Sequence, residues 1–470
     1  MKILLIDPPF SRLMGFYRFF FPYGLGALSS YLKKDGHEVL IYDVDHGRTP
    51  VSMTSTDLLN VFHKYLEGVR DQDHPIWNEV EKVMRDFQPD VVGITFLSTK
   101  MGAVQNLTRM AKRIFPEVPV VLGGAHPTVL YESSLKKTGA DYVVLGEGEE
   151  TFAELARFLE KGGTRPEKIR GLAFRSGNGG IIRTPARPLI RDLDKMPFPD
   201  RESLYRKETY RPDDFSMIMT SRGCPYNCAF CSSIWERRVR YRSVRSIVEE
   251  IESLVNRFKT GNIYFKDDTF TLSRKRVLAF CDELEAKNLD INWECLTRIE
   301  LVDEDIIQRM RRTGMNNLKI GIETGSQRLL NETNKNVTLE QIKRGAGVLN
   351  RLNQKWSAFF MLGYPDETEE EIELSRKLIQ EIRPTYVSMS VLVPYPGCRY
   401  YYELKKKGLL GEDTDWNLYD PFSLYANANI RMSKPHFQQA VRETMRFVDQ
   451  YNLRRAAQDQ AHPSQSKGAT

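Results

Sequence analysis

Short apolar runs alternate with amphipathic stretches over the first 150 or so residues. The runs are Lys2–Asp7, Glu38–Tyr42, Asp90–Phe96, Val118–Gly123 and Tyr142–Leu145, and they are rich in β-branched residues. Parallel strands buried on both faces read this way. Gly24–Lys34, Gly102–Ile114 and Ser133–Thr138 place apolar residues at helical spacing between them. The order predicts an α/β class, with a doubly wound, Rossmann-like parallel sheet that binds ligands at the carboxyl ends of its strands. Those ends carry Pro8–Pro9, Leu97–Ser98–Thr99, Gly123–Gly124–Ala125–His126 and Gly146–Glu147–Gly148–Glu149. Glycines there let backbone approach a bulky ligand. A polar insert at about 50–80 predicts helix and has no assigned role.

A second α/β pattern begins at Phe215. It predicts strands at Met217–Thr220, Asn262–Lys266, Asn292–Leu296, Asn317–Ile322, Lys355–Leu362 and Tyr386–Leu392, with helices such as Val244–Phe258 and Arg274–Lys287 between them. Six such units suit a partial (β/α)6 barrel, whose chemistry sits at the C-terminal strand ends. The predicted divisions are 1–160 for the first sheet, 161–214 for a connector, 215–400 for the barrel, 401–455 for a small helical region and 456–470 for a disordered tail. The connector holds GLAFRSGNGGIIRTP, a predicted hairpin, and LDKMPFPD, whose prolines prevent regular structure.

Length agrees with this division, since 470 residues at roughly 150 per domain give about three domains. Apolar residues at 41% and charged residues at 28% suit a globular chain. No apolar run reaches the ~18 residues of a spanning helix, and MKILLIDPP reads as a strand rather than a secretion signal. Net charge is 68 − 62 = +6, spread along the chain, which gives no argument for nucleic acid. Six cysteines exclude a disulfide scaffold. Three of them lie in Arg222–Gly223–Cys224–Pro225–Tyr226–Asn227–Cys228–Ala229–Phe230–Cys231, directly after the first barrel strand.

Thiolates at this spacing suit iron–sulfur or zinc. A structural zinc wants a fourth ligand, usually nearby. No histidine lies between His126 and His436, and Cys281 and Cys295 are distant. Three thiolates on a cluster leave one iron open for a substrate or cofactor, and a loop at a barrel mouth fits that need. Cys281 and Cys295 read as core. Cys398, in Pro–Gly–Cys–Arg, is the one further thiol with a candidate role.

The Cys-x3-Cys-x2-Cys motif in its Arg–Gly–Cys–Pro context resembles the radical S-adenosylmethionine enzymes. The preceding domain resembles the cobalamin-binding domain fused in front of that barrel, and the resemblance covers residues 1 to about 400. It implies that Cys224, Cys228 and Cys231 ligate a [4Fe–4S] cluster. The open iron would chelate the amino and carboxyl groups of S-adenosylmethionine, and Phe230 would lie near the adenine. One of Asp267 and Asp268, in FKDDTF, would bind the amino group, the rival reading being a turn with Asp268 as a helix cap. Arg298 would hold the carboxylate with its planar fork, or else form a surface ion pair. Glu323 would reach the ribose or methionine portion. The loops at Gly363 and Val393–Gly397 would line the adenosine, or are plain turns.

On the cobalamin side, many such domains carry Asp-x-His-x-x-Gly after the first strand. Here that loop reads Asp7–Pro8–Pro9–Phe10–Ser11, and Asp45–His46–Gly47 follows the second strand instead. The expected cobalt therefore lacks a histidine lower ligand. Leu97, Ser98 and Thr99 would face the corrin or its tail, Gly123, Gly124 and His126 would flank the tail, and Gly146, Glu147 and Gly148 would flank its far end. His126 reads equally as a buried histidine bonded to backbone. The aromatic run Phe16–Tyr23 is expected to cover an apolar ligand.

The resemblance implies a cytoplasmic C-methyltransferase. Its reduced cluster cleaves S-adenosylmethionine to methionine and a 5′-deoxyadenosyl radical. The radical removes hydrogen from an unactivated carbon, that carbon takes a methyl group from methylcobalamin, and a second S-adenosylmethionine restores the methyl. The alternatives are oxidative cyclisation or rearrangement on the same build, and a metal-bearing sensor without turnover. The implied partners are a small-molecule substrate and a flavodoxin- or ferredoxin-like electron donor. Tyr400, Tyr401, Tyr402, Trp416 and Tyr419 are expected to cap the barrel and point to an apolar or flat substrate.

Overall fold

A computed structural model describes residues 1–17, 20–47, 53–163, 165–177, 179–425 and 428–461. The first sheet contains β1 (Lys2–Asp7), β2 (Glu38–Asp43), β3 (Val91–Thr95), β4 (Val120–Gly123), β5 (Tyr142–Val144), β6 (Leu172–Arg175) and β7 (Ile181–Arg183). Their spatial order is β2-β1-β3-β4-β5-β6-β7. The first five are parallel, while β6 and β7 run antiparallel at one edge. The hairpin assigned to the connector therefore extends the first sheet, so this domain continues to about residue 183.

Strand β1 shows why the sheet is two-sided. Ile3, Leu4, Leu5 and Ile6 are all buried, with Ile3 and Leu5 in one core and Leu4 and Ile6 in the other. Period-2 alternation splits a continuous apolar run between two faces. Helices α1 (Tyr23–Lys34) and α7 (Glu149–Glu160) bury Leu25, Leu32, Phe152 and Leu155 on the first face. The insert forms α2 (Ser55–Arg70) and α3 (Pro75–Phe87). Helices α3, α4 (Met101–Ile114) and α6 (Tyr131–Thr138) cover the second face, and the short α5 (Ala125–Val129) follows β4.

The barrel is an open, all-parallel sheet of β8 (Met217–Ile218), β11 (Asn262–Phe265), β12 (Asn292–Thr297), β13 (Met315–Glu323), β14 (Trp356–Leu362) and β15 (Tyr386–Val391). Its order is β15-β14-β13-β12-β11-β8. A short antiparallel ladder, β9 (Ser221–Arg222) with β10 (Arg240–Tyr241), brackets the cysteine loop. Helices α8 (Val244–Phe258), α9 (Arg274–Lys287), α10 (Glu304–Arg312), α11 (Gln327–Glu332), α12 (Leu339–Arg351) and α13 (Glu369–Ile382) connect the strands. Ser243, Ser273 and Thr338 start α8, α9 and α12 by accepting from backbone N–H groups of the first turn. Cys281 and Cys295 are wholly buried core residues, as expected.

The C-terminal region supplies α14 (Arg399–Lys406) and α15 (Lys434–Ala461). Asn452 on α15 exchanges hydrogen bonds of 2.8 and 2.9 Å with the backbone of Val387. These satisfy the backbone of Val387 on the outer edge of β15. The expected tail begins too early, because residues 456–461 continue α15, while 462–470 lie outside the described residues.

Candidate active site

The cysteine loop leaves the barrel through Gly223, whose φ is +95°. A Cβ there would meet the Arg238 carbonyl oxygen at 2.6 Å, so only glycine fits. The turn after α11, the loop after β15 and α14 hold the cysteine loop in place. Ala229 N–H donates to Thr333 O at 2.8 Å, Asn334 Nδ2 to Asn227 O at 3.1 Å, and Ser232 Oγ to Pro396 O at 2.6 Å. Tyr400 N–H donates to Ala229 O at 3.1 Å. Cys224, Cys228 and Cys231 are all free thiols. Among the described residues no three His, Cys, Asp or Glu side chains converge closely enough to hold a single ion. An iron–sulfur cluster takes one thiolate per iron, so its ligands can stand apart on one loop, and this donor set fits it.

Cys228 lies between two cations. Arg298 Nη1 is 3.7 Å from its sulfur, and Lys335 adds a second positive field. Burial pushes the free thiol up, and the two cations oppose that. Burial, then Asp268, drives Cys231 to about 12. Metal binding would have to displace these protons.

The structure separates the paired carboxylates. Asp267 is fully buried and accepts from Thr220 N–H at 3.2 and 3.1 Å, from Thr220 Oγ1 at 2.7 Å and from Ser221 Oγ. Those bonds spend its acceptors on the base of the cysteine loop, which corrects the expectation that it could bind an amino group. Asp268 opens to the barrel mouth, where loss of water and then Asp267 raise its carboxyl. It caps no helix, because Ser273 caps α9.

Arg298 is buried rather than on the surface, and its fork is occupied. Nε meets Glu300, Nη2 donates to Lys335 O, and the guanidinium stacks 3.7 Å over Tyr226. A two-pronged grip on a carboxylate is thus excluded in this arrangement. Glu323, at φ +75°, pairs with Lys335 Nζ at 2.7 Å. Gly363, at φ +92°, donates to Glu367 at 2.5 Å. Phe230 is half-buried and packs against the core shared with the first sheet.

Two residues here escaped the sequence reading. Lys335 points inward because Asn334 and Asn336 on either side are left-handed, at φ +54° and +55°. The Asn–Lys–Asn signal marks a turn but not its target. Glu367 is wholly buried, and loss of water drives it up to about 8. Its Oε1 and the buried Tyr364 hydroxyl have no protein partner.

Two cavities lie at the strand ends of the first sheet. The first, about 230 Å³, runs between α1, the ends of β3–β5 and the barrel residues Met219, Arg222, Ile234 and Trp235. Gly123, Gly124, Gly146 and Gly148 line it. A Cβ at Gly123 or Gly146 would meet nothing within 4 Å, so a side chain there would fill ligand space. The second, about 390 Å³, is walled by Leu97, Ser98, Thr99, Lys100 and His126 on one side and Ser232, Tyr395 and Asp420 on the other. Ser232 follows Cys231 directly. The apolar and glycine-lined space at these strand ends fits a corrin and its tail.

His126 Nδ1 lies 2.8 Å from Ser98 Oγ, its ring stacks on Phe96 at 4.4 Å, and Trp416 meets its edge at 5.6 Å. Burial lowers it to about 3, so it stays neutral. Its partner is a serine side chain rather than the expected backbone, and Nε2 is buried without a protein partner. His46 stacks on Tyr210 at 3.5 Å and bonds Thr209 at 3.0 Å, away from this wall. Lys100 is tied to Asp7 at 2.5 Å and Pro8 O at 2.7 Å.

The carboxylates of Glu147 and Glu149 are taken by Arg222 and Arg240, on the wall of the first cavity. Of the aromatic run, Tyr23 lines the first cavity, Phe21 is buried, Tyr17 covers Gly47 and Phe20 is exposed against Tyr264 and Lys266; residues 18 and 19 lie outside the described residues. Tyr400, Tyr401 and Trp416 are buried in the core against the first sheet, so their aromatic content reports packing rather than substrate. Cys398 is buried too, accepts from Tyr401 N–H at 3.3 Å as the cap of α14, and is pushed by burial to about 11.

Comparison with known proteins agrees with this geometry. Residues 16–156 match the B12 binding domain and residues 218–379 the Radical SAM superfamily. An uncharacterized methyltransferase of Pyrococcus horikoshii is 32% identical over 85% of this chain and 82% of its own. The anaerobic magnesium-protoporphyrin IX monomethyl ester cyclase of Rubrivivax gelatinosus is 30% identical over 73% of this chain and 63% of its own. The solved structure of the radical S-adenosylmethionine methyltransferase TsrM from Kitasatospora setae, with cobalamin and [4Fe–4S] cluster bound, superposes with a TM-score of 0.68. It covers 93% of this chain and 81% of that one at 19% identity, a likeness of fold.

Proposed function

The chain belongs to the radical S-adenosylmethionine enzymes that carry a B12-binding domain, and on that premise we propose that it methylates an unactivated carbon of a small molecule. One observation carries this reading. Leu97, Ser98 and His126 from the first sheet share a single cavity with Ser232, the neighbour of Cys231. Cofactors held on the two sides would therefore meet in one space, which is what positioning catalysis requires. When bound, the cluster supplies one electron to S-adenosylmethionine and cobalamin supplies the methyl group.

The chain's own residues do the rest. Cys224, Cys228 and Cys231 hold the cluster. Arg298 and Lys335 place positive charge beside Cys228. Asp268 is the open carboxylate for an ammonium. Gly123, Gly124, Gly146 and Gly148 give a corrin tail its room. Leu97, about half exposed just after β3, would give the corrin an apolar contact on the cavity wall. His126 stays neutral and packs behind Ser98 on the cavity wall. A flavodoxin- or ferredoxin-like donor in a reducing cytoplasm would supply the electron.

The second reading, oxidative cyclisation without methyl transfer, rests on the 30% identity to the Rubrivivax gelatinosus cyclase. The test is anaerobic protein loaded with iron, sulfide and hydroxocobalamin, then reduced with dithionite in the presence of methyl-deuterated S-adenosylmethionine. Deuterated methyl on the extracted cobalamin, with 5′-deoxyadenosine in solution, supports methyl transfer. 5′-Deoxyadenosine with unlabelled cobalamin supports the second reading. Neither product refutes both.

A further inference from the structure

The loop that carries the three cysteines leaves through Arg222 and returns through Arg240. The two residues sit directly opposite each other in the β9–β10 ladder. Both guanidiniums converge on one carboxylate of the first sheet. Glu147 Oε1 accepts from Arg222 Nη1 at 2.8 Å and from Arg240 Nη2 at 2.9 Å. Its Oε2 accepts from Arg240 Nη1 at 3.0 Å and from Ile190 N–H at 2.7 Å. Arg222 Nη2 also donates to Glu149 at 2.6 Å. All four side chains are at most 9% exposed, so these are buried ion pairs. Burial pushes the Glu147 carboxyl up, but Arg240 and Arg222 outweigh it and hold the group below its ordinary value.

Buried ion pairs add little stability over apolar packing of the same volume, so stability is a weak reason for two arginines on one glutamate. Register is a better one. Cys224 follows Arg222 by two residues, and Gly223 between them has no slack against Arg238. Fixing both feet of the loop fixes where its thiols stand. Arg222 and Trp235 also wall the 230 Å³ cavity, on the side facing Gly146 and Gly148.

We infer that Glu147 is a positioning residue for the cluster: it staples both feet of the cysteine loop, so that the B12-binding domain takes part in retaining iron. The inference rests on the reading that Cys224, Cys228 and Cys231 hold a cluster. Outer-shell partners of metal ligands typically change affinity 10- to 100-fold when altered.

The test uses the full chain, reconstituted anaerobically with iron and sulfide. Wild type, Glu147→Gln, Glu147→Asp and Arg240→Gln are compared, with the exposed Glu160→Gln as control. Iron release to a chelator is followed, as is the electron paramagnetic resonance of the reduced cluster with and without S-adenosylmethionine. Circular dichroism and thermal melts report folding. The expected result is release about tenfold faster in Glu147→Gln and Arg240→Gln, with a weakened S-adenosylmethionine-induced shift of the resonance. Glu147→Asp should recover part of both. Should Glu147→Gln not fold, Arg240→Gln decides alone, and if neither folds, the variant Glu147→Leu/Arg222→Met/Arg240→Met keeps the volume apolar and must release iron fast. Folded variants that hold iron like wild type overturn the staple. Wild type that takes up no iron overturns the cluster reading, and the staple with it.

Discussion

Asp267, at the end of the second barrel strand, accepts from the backbone N–H of Thr220, just beyond the end of the first, at 3.2 and 3.1 Å. The same carboxylate takes the Thr220 and Ser221 hydroxyls. The paired acids therefore divide their work: one sets the base of the cysteine loop and the other faces the barrel mouth. Asp267→Ala should strand three buried donors and cost about 3 kcal/mol of stability. Asp268→Ala should leave the melting temperature within a few degrees and weaken S-adenosylmethionine binding instead. Thermal melts together with equilibrium binding of S-adenosylmethionine separate the two, and equal effects in both assays would refute the division.

The six cysteines should sort cleanly. Cys224→Ala, Cys228→Ala and Cys231→Ala should each abolish uptake of iron and sulfide. Cys398→Ala should keep the cluster and lose only a helix cap, about 1 kcal/mol. Cys281→Ala and Cys295→Ala should keep the cluster and lose core packing, about 1–2 kcal/mol each. Iron and sulfide analysis with denaturant melts reads this directly. A cluster lost in Cys398→Ala would return that thiol to the site.

Much of this was legible because the signals are local. β-Branched runs gave the strands of both sheets, and the boundaries of α8 and α9 coincide with the periodicity. The motif at 224–231 carries its own spacing. What stayed hidden depends on distant partners. Glu147 in a glycine-rich loop looks like ligand space until Arg222 and Arg240 fold against it. Asp267 and Asp268 are identical neighbours in sequence, and only the donors of Thr220 and Ser221, distant in the chain, turn one into the structure while the other stays exposed. Trp416 and the tyrosines at 400 and 401 have the composition of a substrate site, yet they fill the seam between the two domains.

The cations beside Cys228 should tune the cluster. Adding an electron near Lys335 and Arg298 is favoured by their charge, so removing one makes reduction harder. Lys335→Met should shift the midpoint to more negative potential by some tens of millivolts, about 1.4 kcal/mol for each 59 mV. Lys335→Arg should restore most of the shift. Potentiometric titration followed by electron paramagnetic resonance measures it, and an unchanged or more positive midpoint in Lys335→Met would show that the charge does not reach the cluster.

His126 and Glu367 should bend the pH–stability curve in opposite directions. The folded His126 is lowered to about 3 by burial from an ordinary 6.5. A lowered base contributes stability that is complete above 6.5 and is lost as pH falls, by up to about 1.4 kcal/mol per unit. The folded Glu367 is raised to about 8, chiefly by burial, from an ordinary 4.5. Its contribution is complete below 4.5 and is lost as pH rises towards 8. Between 4.5 and 6.5 the two slopes oppose, so these groups give a plateau there with a fall on either side. Urea unfolding from pH 4 to 9 tests this in wild type, Glu367→Gln and His126→Gln. Glu367→Gln should flatten the alkaline fall and leave the acid one. His126→Gln should do the reverse. A Glu367→Gln profile parallel to wild type above pH 6.5 would mean that the carboxyl is already ionised in the folded chain. Its unpaired Oε1 would then need a partner that the protein does not supply.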